Sequence, residues 1–451
     1  MKILDAKISE IKFQNATDFF EQFAQDYYTA LFTGDEVTSE YSLIGNKPHT
    51  IIRFANNNFT IKTANKQFTV ETEHSKCNNN DDFWKFTNEI LGKTNFHEFA
   101  FPVSICGGMG YLSYEMLHQI EKIAKTTNAN YQMPDFEWIF YNQYFVFDNF
   151  AKKAYEINLQ YKNESNISKN EKVADNFKVE KLLPECNAKE YMQKVERIRD
   201  YIFAGDVYEV NLSQQICGDF MGNAFQLFKK LFAVNSAPFS TFLNFGENKI
   251  VCNSPELFLK CNNRKVETRP IKGTIQRGET PKEDEENKIK LLNSRKDEAE
   301  LFMIIDLLRN DIGKVCEYGS VKVMEAKRLE RFKNVHHLVG VIEGKLRENI
   351  SYFDLLRATF PGGSITGCPK IRCMEIIDEL ETYARNLYTG TIFIMNQTSL
   401  ISNIVIRSAI IQSGKIYLNS GGAITIDSNP KSEFEETEHK LKNIIEAVMG
   451  S

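Results

Sequence analysis

Lys272 stands in "ETRPIKGTIQRG", between Pro270–Ile271 and Gly273–Thr274, with no acidic residue beside it in sequence. A lysine held at a tight apolar turn loses hydration, which lowers its pKa and makes the amine a usable nucleophile. The alternative is a lysine whose head snorkels out to solvent. The preceding stretch "VCNSPELFLKCNNRKVETRPIKG" reads as a hairpin folding back at Asn262–Asn263, which brings Ser254–Glu256 towards Arg269–Lys272. Glu256 is then placed to protonate a leaving group near the amine.

Two further carboxylates fall where charge is costly. "DEAELFMIIDLLRNDIGKV" reads as a helix apolar nearly all round, with Glu300 on the face of Met303, Ile304, Leu307 and Leu308. Such a glutamate is either paired with an arginine, Arg309 for example, or bound to a metal. In "NPKSEFEETEHKLKNIIEAVM" the core face of Ile444 and Val448 extends back to Lys440, Glu436 and Glu433. Glu435, Glu438, Lys442 and Glu446 form the solvated side, and Ser432 with Glu435 fits a capping box. Inward carboxylates on separate helices, Glu300 and Glu436, suit Mg²⁺, which takes one or two and leaves its other positions to water and substrate.

Two glycine-rich turns could cradle an anion. "FPGGSITGCPKIRCMEIIDELE" runs into a helix starting near Pro369, whose free amides make an anion site. "LNSGGAITID" sets Gly421 and Gly422 after a strand, where backbone can approach a ligand closely. With Arg407 in the strand "NIVIRSAII", these suggest a ligand bearing more than one carboxylate. Cys106 in "SICGGMG" has no evident histidine partner and reads as a small buried residue at a glycine turn.

The elements that must position these residues occupy the C-terminal part of a 451-residue chain. Residues 1–160 read as hairpin strands with interspersed helices, as in "HTIIRFANNNFTIKTANKQFTVET". Residues 161–186 form a polar connection. Residues 187–451 open with a helix in "CNAKEYMQKVERIRDYIFAG" that stops at Gly205. Strands and helices mix without regular alternation, which gives an α+β class with large antiparallel sheets. The net charge of -5 favours neither nucleic acid nor an acidic membrane as partner. No apolar run is long enough for a membrane span, and the N-terminus lacks a signal-peptide core. Nine cysteines without a CxxC pair fit reduced, cytoplasmic thiols better than a disulfide or zinc framework.

Seven blocks, in order, resemble the chorismate-utilising enzymes: "SPELFL", "RPIKGT", "AELFMIIDLLRNDIGKV", "NVHHLVG", "PGGSITGCPKIRCMEIIDELE", "LYTGTI" and "GGAITIDSNPKSEFEET". The resemblance implies that family's fold, an α/β sandwich of two intertwined subdomains. Anthranilate-forming members typically carry alanine in the "PIKGT" block, whereas lysine marks those that make 4-amino-4-deoxychorismate from chorismate and ammonia. By resemblance Lys272 is the covalent nucleophile, Glu256 the proton donor, and Glu300 and Glu436 the Mg²⁺ ligands. Thr274, His337, Tyr388, Arg407, Gly421, Gly422 and Lys440 are substrate contacts on the same ground.

Two features depart from the family. Glu209, in "YEVNLS", replaces the glutamine usual in amino-transferring members and the lysine of water-adding ones. The segment that lines the family's tryptophan pocket has no evident counterpart. The chain carries no glutaminase domain, so the resemblance implies ammonia from solution or from a separate glutamine amidotransferase subunit. Anthranilate synthesis, or a non-catalytic subunit that binds an aromatic ligand, are the competing readings.

Overall fold

The computed structural model describes residues 1–34, 39–64, 70–77, 79–162, 167 and 173–449. Its hub is the strand Tyr41–Ala55, a nearly continuous buried run rich in apolar and β-branched side chains. Its register shifts beside Pro48, which has no N–H to give to a ladder. From one edge of the hub, antiparallel partners run through Thr29–Thr33, Phe239–Phe245, Asn248–Ser254, Ser408–Gln412 and Lys415–Ile424. That arm ends on Glu209–Gly222 and Phe177–Pro184. From the other edge they run through Phe136–Asp148, Gly108–Leu112, Thr391–Met395, Ser399–Ile404 and Leu257–Asn262. Lys265–Arg269 and Val335–Lys345 complete that arm.

Each arm therefore mixes strands from both halves of the chain, an α+β arrangement of intertwined antiparallel sheets. Much of the polar stretch 161–186 lies outside the described residues. Its end, Phe177–Pro184, is a strand on Glu209–Gly222, with Val179 turned into the core. The fully buried Cys106 has its thiol against the Pro102 carbonyl, a structural residue as expected.

Three helices matter for the site. Ala188–Phe203 begins on a capping box between Asn187 and Glu190 and packs against Pro430–Met449. Pro430–Met449 in turn covers the strand Lys415–Ile424. Arg295–Gly313 lies on Ile271–Gln276 and Val335–Lys345. It buries Leu301, Ile304, Ile305, Leu308 and Ile312, but Phe302 is exposed, so it is amphipathic rather than apolar all round. No helix among the described residues is long and apolar enough to cross a membrane.

Candidate active site

Lys272 sits on a bulged strand rather than at a tight turn. Pro270 separates Lys265–Arg269 from Ile271–Gln276. Between Ile271 and Thr274 the register against Val335–Lys345 shifts, and Gly273 takes φ +82° there. A β-carbon on Gly273 would also meet Cβ of Asp297 at 2.9 Å, so both conformation and space call for glycine. Lys272 is buried, not snorkelled, and its Nζ donates to Oε1 of the fully buried Glu209 at 2.6 Å.

That pairing corrects the expectation of a depressed lysine. Burial pulls the pKa of Lys272 down, but the negative charges of Glu209, Glu300 and Glu256 outweigh it. The amine is held above the ordinary lysine value. An amine in this state is an ammonium ion and has no lone pair to attack with.

Glu256 lies in the link between Asn248–Ser254 and Leu257–Asn262. The hairpin does return this end to Arg269, which pairs with Leu257, but its turn is Asn263–Arg264, both at positive φ. The Glu256 carboxyl accepts a hydrogen bond from Ser364 Oγ at 2.5 Å. Burial raises its pKa to about 7, against the opposing pull of Ser364, Lys272 and Arg407. At neutral pH it therefore holds its proton about half the time, the state a general acid needs.

Glu300 has one buried oxygen, Oε1, with no hydrogen-bond partner among the described residues, and the exposed Lys296 lies 3.9 Å from it. Arg309 is not its partner, since it pairs with Asp306. Burial lifts Glu300 to about 7 despite Lys272 nearby. Glu436 is half exposed and bonded to Lys440 at 2.7 Å. For Glu436, burial would raise the pKa, but Lys440, with Lys296 and Lys272, outweighs it and holds it low. Asn429, not Ser432, caps that helix by accepting from the Lys431 and Ser432 amides, and Ser428 bonds to the buried Glu433. No three acidic, histidine or cysteine side chains form a cage among the described residues. A pair of carboxylates, one with an orphan oxygen, could hold Mg²⁺, which keeps most of its positions for water and substrate.

Lys272, Glu256, Glu300 and Glu436 face one cavity of about 830 Å³, which is also lined by Thr274, His337, Tyr388, Arg407, Gly421 and Lys440. Thr274 and His337 are cross-strand neighbours whose Oγ1 and Nδ1 lie 2.7 Å apart. Burial, with Arg407 nearby, lowers His337 to about 3, so its imidazole is neutral, and its Nε2 has no partner. Arg407 is not in a strand. It occupies the break between Ser399–Ile404 and Ser408–Gln412 at φ +50°, a strained conformation for a non-glycine residue. Its pKa is lowered by burial, with Glu256 the only opposing charge.

Gly421 and Gly422 lie within the strand Lys415–Ile424, opposite Ser213 and Leu212. A β-carbon on Gly421 would meet the Leu212 carbonyl at 2.6 Å, while Lys440 donates to the Gly421 carbonyl. Gly422 is not among the lining residues, although its open side faces Glu433, Glu436 and Lys440. The loop "PGGSITG" contributes Ser364, but the helix after it, Lys370–Leu380, does not present its first turn to the cavity. Pro369 is its N-cap, one residue before the helix.

Sequence reasoning did not single out two contributors, Ser364 and Arg385, and did not place a third, Glu209, beside Lys272. Ser364 was visible only as part of a glycine loop. Arg385 lines the cavity, yet its guanidinium is spent on Glu381 and on the carbonyls of Asn211 and Ile365, so it buttresses the wall. Glu209 was legible as an unusual residue, but its contact with Lys272 spans 63 positions in sequence.

Similarity to known proteins agrees with this geometry. Residues 40–446 match the family described as chorismate binding enzyme. The chain is 37% identical over 350 residues to aminodeoxychorismate synthase component 1 of Escherichia coli (strain K12), covering 76% of this chain and 77% of that protein. It is 31% identical over 457 residues to anthranilate synthase component 1 of Acetivibrio thermocellus, covering 95% and 91%. Anthranilate synthase component I from Streptococcus pneumoniae TIGR4 superposes with a TM-score of 0.77 at 27% identity, over 90% of this chain and 92% of that one. With the matched family spanning most of its length, the chain belongs to the chorismate binding enzymes.

Proposed function

We propose that the protein is the chorismate-aminating component of an aminodeoxychorismate synthase. It would convert chorismate and ammonia to 4-amino-4-deoxychorismate, on the way to p-aminobenzoate and folate. The observation that carries this reading is the buried Lys272 amine in the wall of the cavity, where anthranilate-forming members typically have alanine. Overall identity does not decide, since relatives named for both activities match over most of the chain.

The residues divide the work as follows. Nζ of Lys272 bonds to ring carbon 2 while both conjugated ring double bonds shift and the carbon 4 hydroxyl departs. Glu256 gives that hydroxyl its proton, so water leaves rather than hydroxide. Ammonia then bonds to carbon 4 as the ring double bonds shift back, the electron pair of the carbon 2–Nζ bond returns to the lysine, and the new ammonium group gives a proton back to Glu256. Arg407, a half-buried cation on the cavity wall with no carboxylate bonded to it among the described residues, supports the binding of a substrate carboxylate. Thr274, Tyr388, Gly421, Gly422 and Lys440 complete the substrate contacts, with neutral His337 towards the enolpyruvyl side. Mg²⁺ on Glu300 and Glu436 would supply positive charge for the ring carboxylate.

Incubation with chorismate, Mg²⁺ and ammonium, followed by identification of the product by mass and NMR, tests this reading. A 4-amino ring with the enolpyruvyl group retained is expected. Anthranilate with released pyruvate would support the anthranilate synthase reading, and unchanged chorismate a binding subunit.

Two further outcomes follow. Glu300→Gln and Glu436→Gln should each keep the fold and lose most turnover, at least about tenfold, because each removes a charged ligand. Calorimetry should show weakened Mg²⁺ binding in parallel, and normal turnover at low Mg²⁺ would remove that residue from the metal site. The purified chain should use ammonium alone, at a rate set at any one pH by the concentration of free ammonia, and should use glutamine only once a separate amidotransferase is added. Glutamine-dependent product from the single chain would contradict this division of labour. The free thiols support a reducing, cytoplasmic setting for the reaction.

A further inference from the structure

The reaction just set out leaves a proton unaccounted for. Lys272 is an ammonium ion in the resting site, and it must lose one proton before it can bond to carbon. Three carboxyl groups act on it: Glu209 by direct contact, Glu300 from the helix Arg295–Gly313, and Glu256 from the link before Leu257–Asn262. The cation Arg407 acts on Glu256, Lys296 acts on Glu300 and Glu436, and Lys440 acts on Glu436. Glu256 must carry a proton to the departing hydroxyl, so it cannot take one from the lysine in the same step. Glu300 is reserved as a cation ligand. Glu209 remains.

Its setting suits the task. Glu209 opens the strand Glu209–Gly222, where backbone pairing with Cys368 fixes it, and the Cys373 thiol donates to its carbonyl at 3.1 Å. The side chain is fully buried and is not among the residues lining the cavity. One oxygen is 2.6 Å from Nζ, and the other, Oε2, has no partner among the described residues. A proton placed there is shielded from water and stays beside the nitrogen it came from.

Resting on the covalent reading above, we propose that Glu209 is the proton acceptor for Lys272 and later its donor. The Glu209 carboxylate takes one proton from the ammonium, leaving a neutral amine whose lone pair forms the bond to carbon 2. The adduct is a secondary ammonium. When ammonia displaces it, the nitrogen leaves as a neutral amine, and Glu209 returns the stored proton to regenerate the resting pair. Glutamine, usual at this position in amino-transferring relatives, can accept a hydrogen bond from the lysine but cannot hold its proton.

The difference is measurable as a pH profile. Within the contacting pair the proton only changes sides, so adduct formation needs no exchange with solvent. Enzyme, chorismate and Mg²⁺ are mixed without ammonia, quenched at intervals, and the Lys272 peptide is followed by mass from mildly acid to mildly alkaline pH. In the wild-type protein the rate should be flat on the acid side and fall as Glu256 loses its proton near pH 7. Glu209→Gln should add an acid limb, the rate dropping by about tenfold per pH unit as solvent must now deprotonate the lysine. Glu209→Asp should restore the flat region at a lower rate, a rescue that a purely structural role would not give. Chorismate-dependent thermal protection checks that each variant folds and binds.

Superimposable profiles for wild-type and Glu209→Gln proteins would overturn the role of Glu209 and leave the covalent reading intact. An acid limb in the wild-type protein would do the same, without need of a variant. Absence of any adduct while 4-amino-4-deoxychorismate still forms would overturn both.

Discussion

Lys272→Ala should lower the rate of 4-amino-4-deoxychorismate formation by ~10³-fold or more, equivalent to about 4 kcal/mol of barrier. The substitution removes the group that first displaces the carbon 4 hydroxyl. It leaves Glu256 with Ser364, the cavity and Arg407 in place. Chorismate binding should change much less than turnover, because its carboxylates do not depend on the amine. Any residual reaction should shift towards direct attack of ammonia at carbon 2, the outcome typical of alanine-bearing relatives. Single-turnover assays with product identification read both effects. Chorismate-dependent thermal protection of the variant separates a loss of chemistry from a loss of fold.

Glu256→Gln should cost about 10²- to 10⁴-fold in turnover, the range of a lost general acid. The amide can still accept from Ser364, so the wall is preserved. The pH dependence gives a sharper check. A buried carboxyl raised to about 7 is protonated below that pH and ionised above it. Turnover at a fixed concentration of free ammonia should therefore fall as pH rises through about 7 in the wild-type protein. In the glutamine variant that alkaline limb should vanish from the small residual rate. A limb of unchanged position in Glu256→Gln would assign it to another group.

Much of the site was legible because helix and strand periodicities are local. Glu300 and Glu436 were marked by apolar neighbours at helical spacing. The apposition of Glu256 and Lys272 followed from one hairpin. The misreadings arose where a property depends on distant charges or on backbone detail. Lys272 is raised rather than depressed because carboxylates from three separate elements converge on it, and none adjoins it in sequence. Arg407 reads as a strand residue in "NIVIRSAII", yet tertiary pairing ends one strand at Ile404 and begins the next at Ser408. Ser432 and Glu435 satisfy a capping pattern, but Asn429 three residues earlier wins the amides because Pro430 can occupy the first helical position. The intertwining of the sheets came from the family resemblance and not from local pattern, since each arm joins strands hundreds of residues apart.

The covalent bond to Lys272 is the centre of the proposed chemistry, and one measurement addresses it directly. Wild-type protein is mixed with chorismate and Mg²⁺, quenched in acid, digested, and the peptides are weighed. The peptide containing Lys272 should gain the mass of chorismate less one water, and added ammonium should discharge it to 4-amino-4-deoxychorismate. An unmodified Lys272 peptide throughout a reaction that still delivers 4-amino-4-deoxychorismate at full rate would contradict covalent catalysis and leave the lysine only an electrostatic contact.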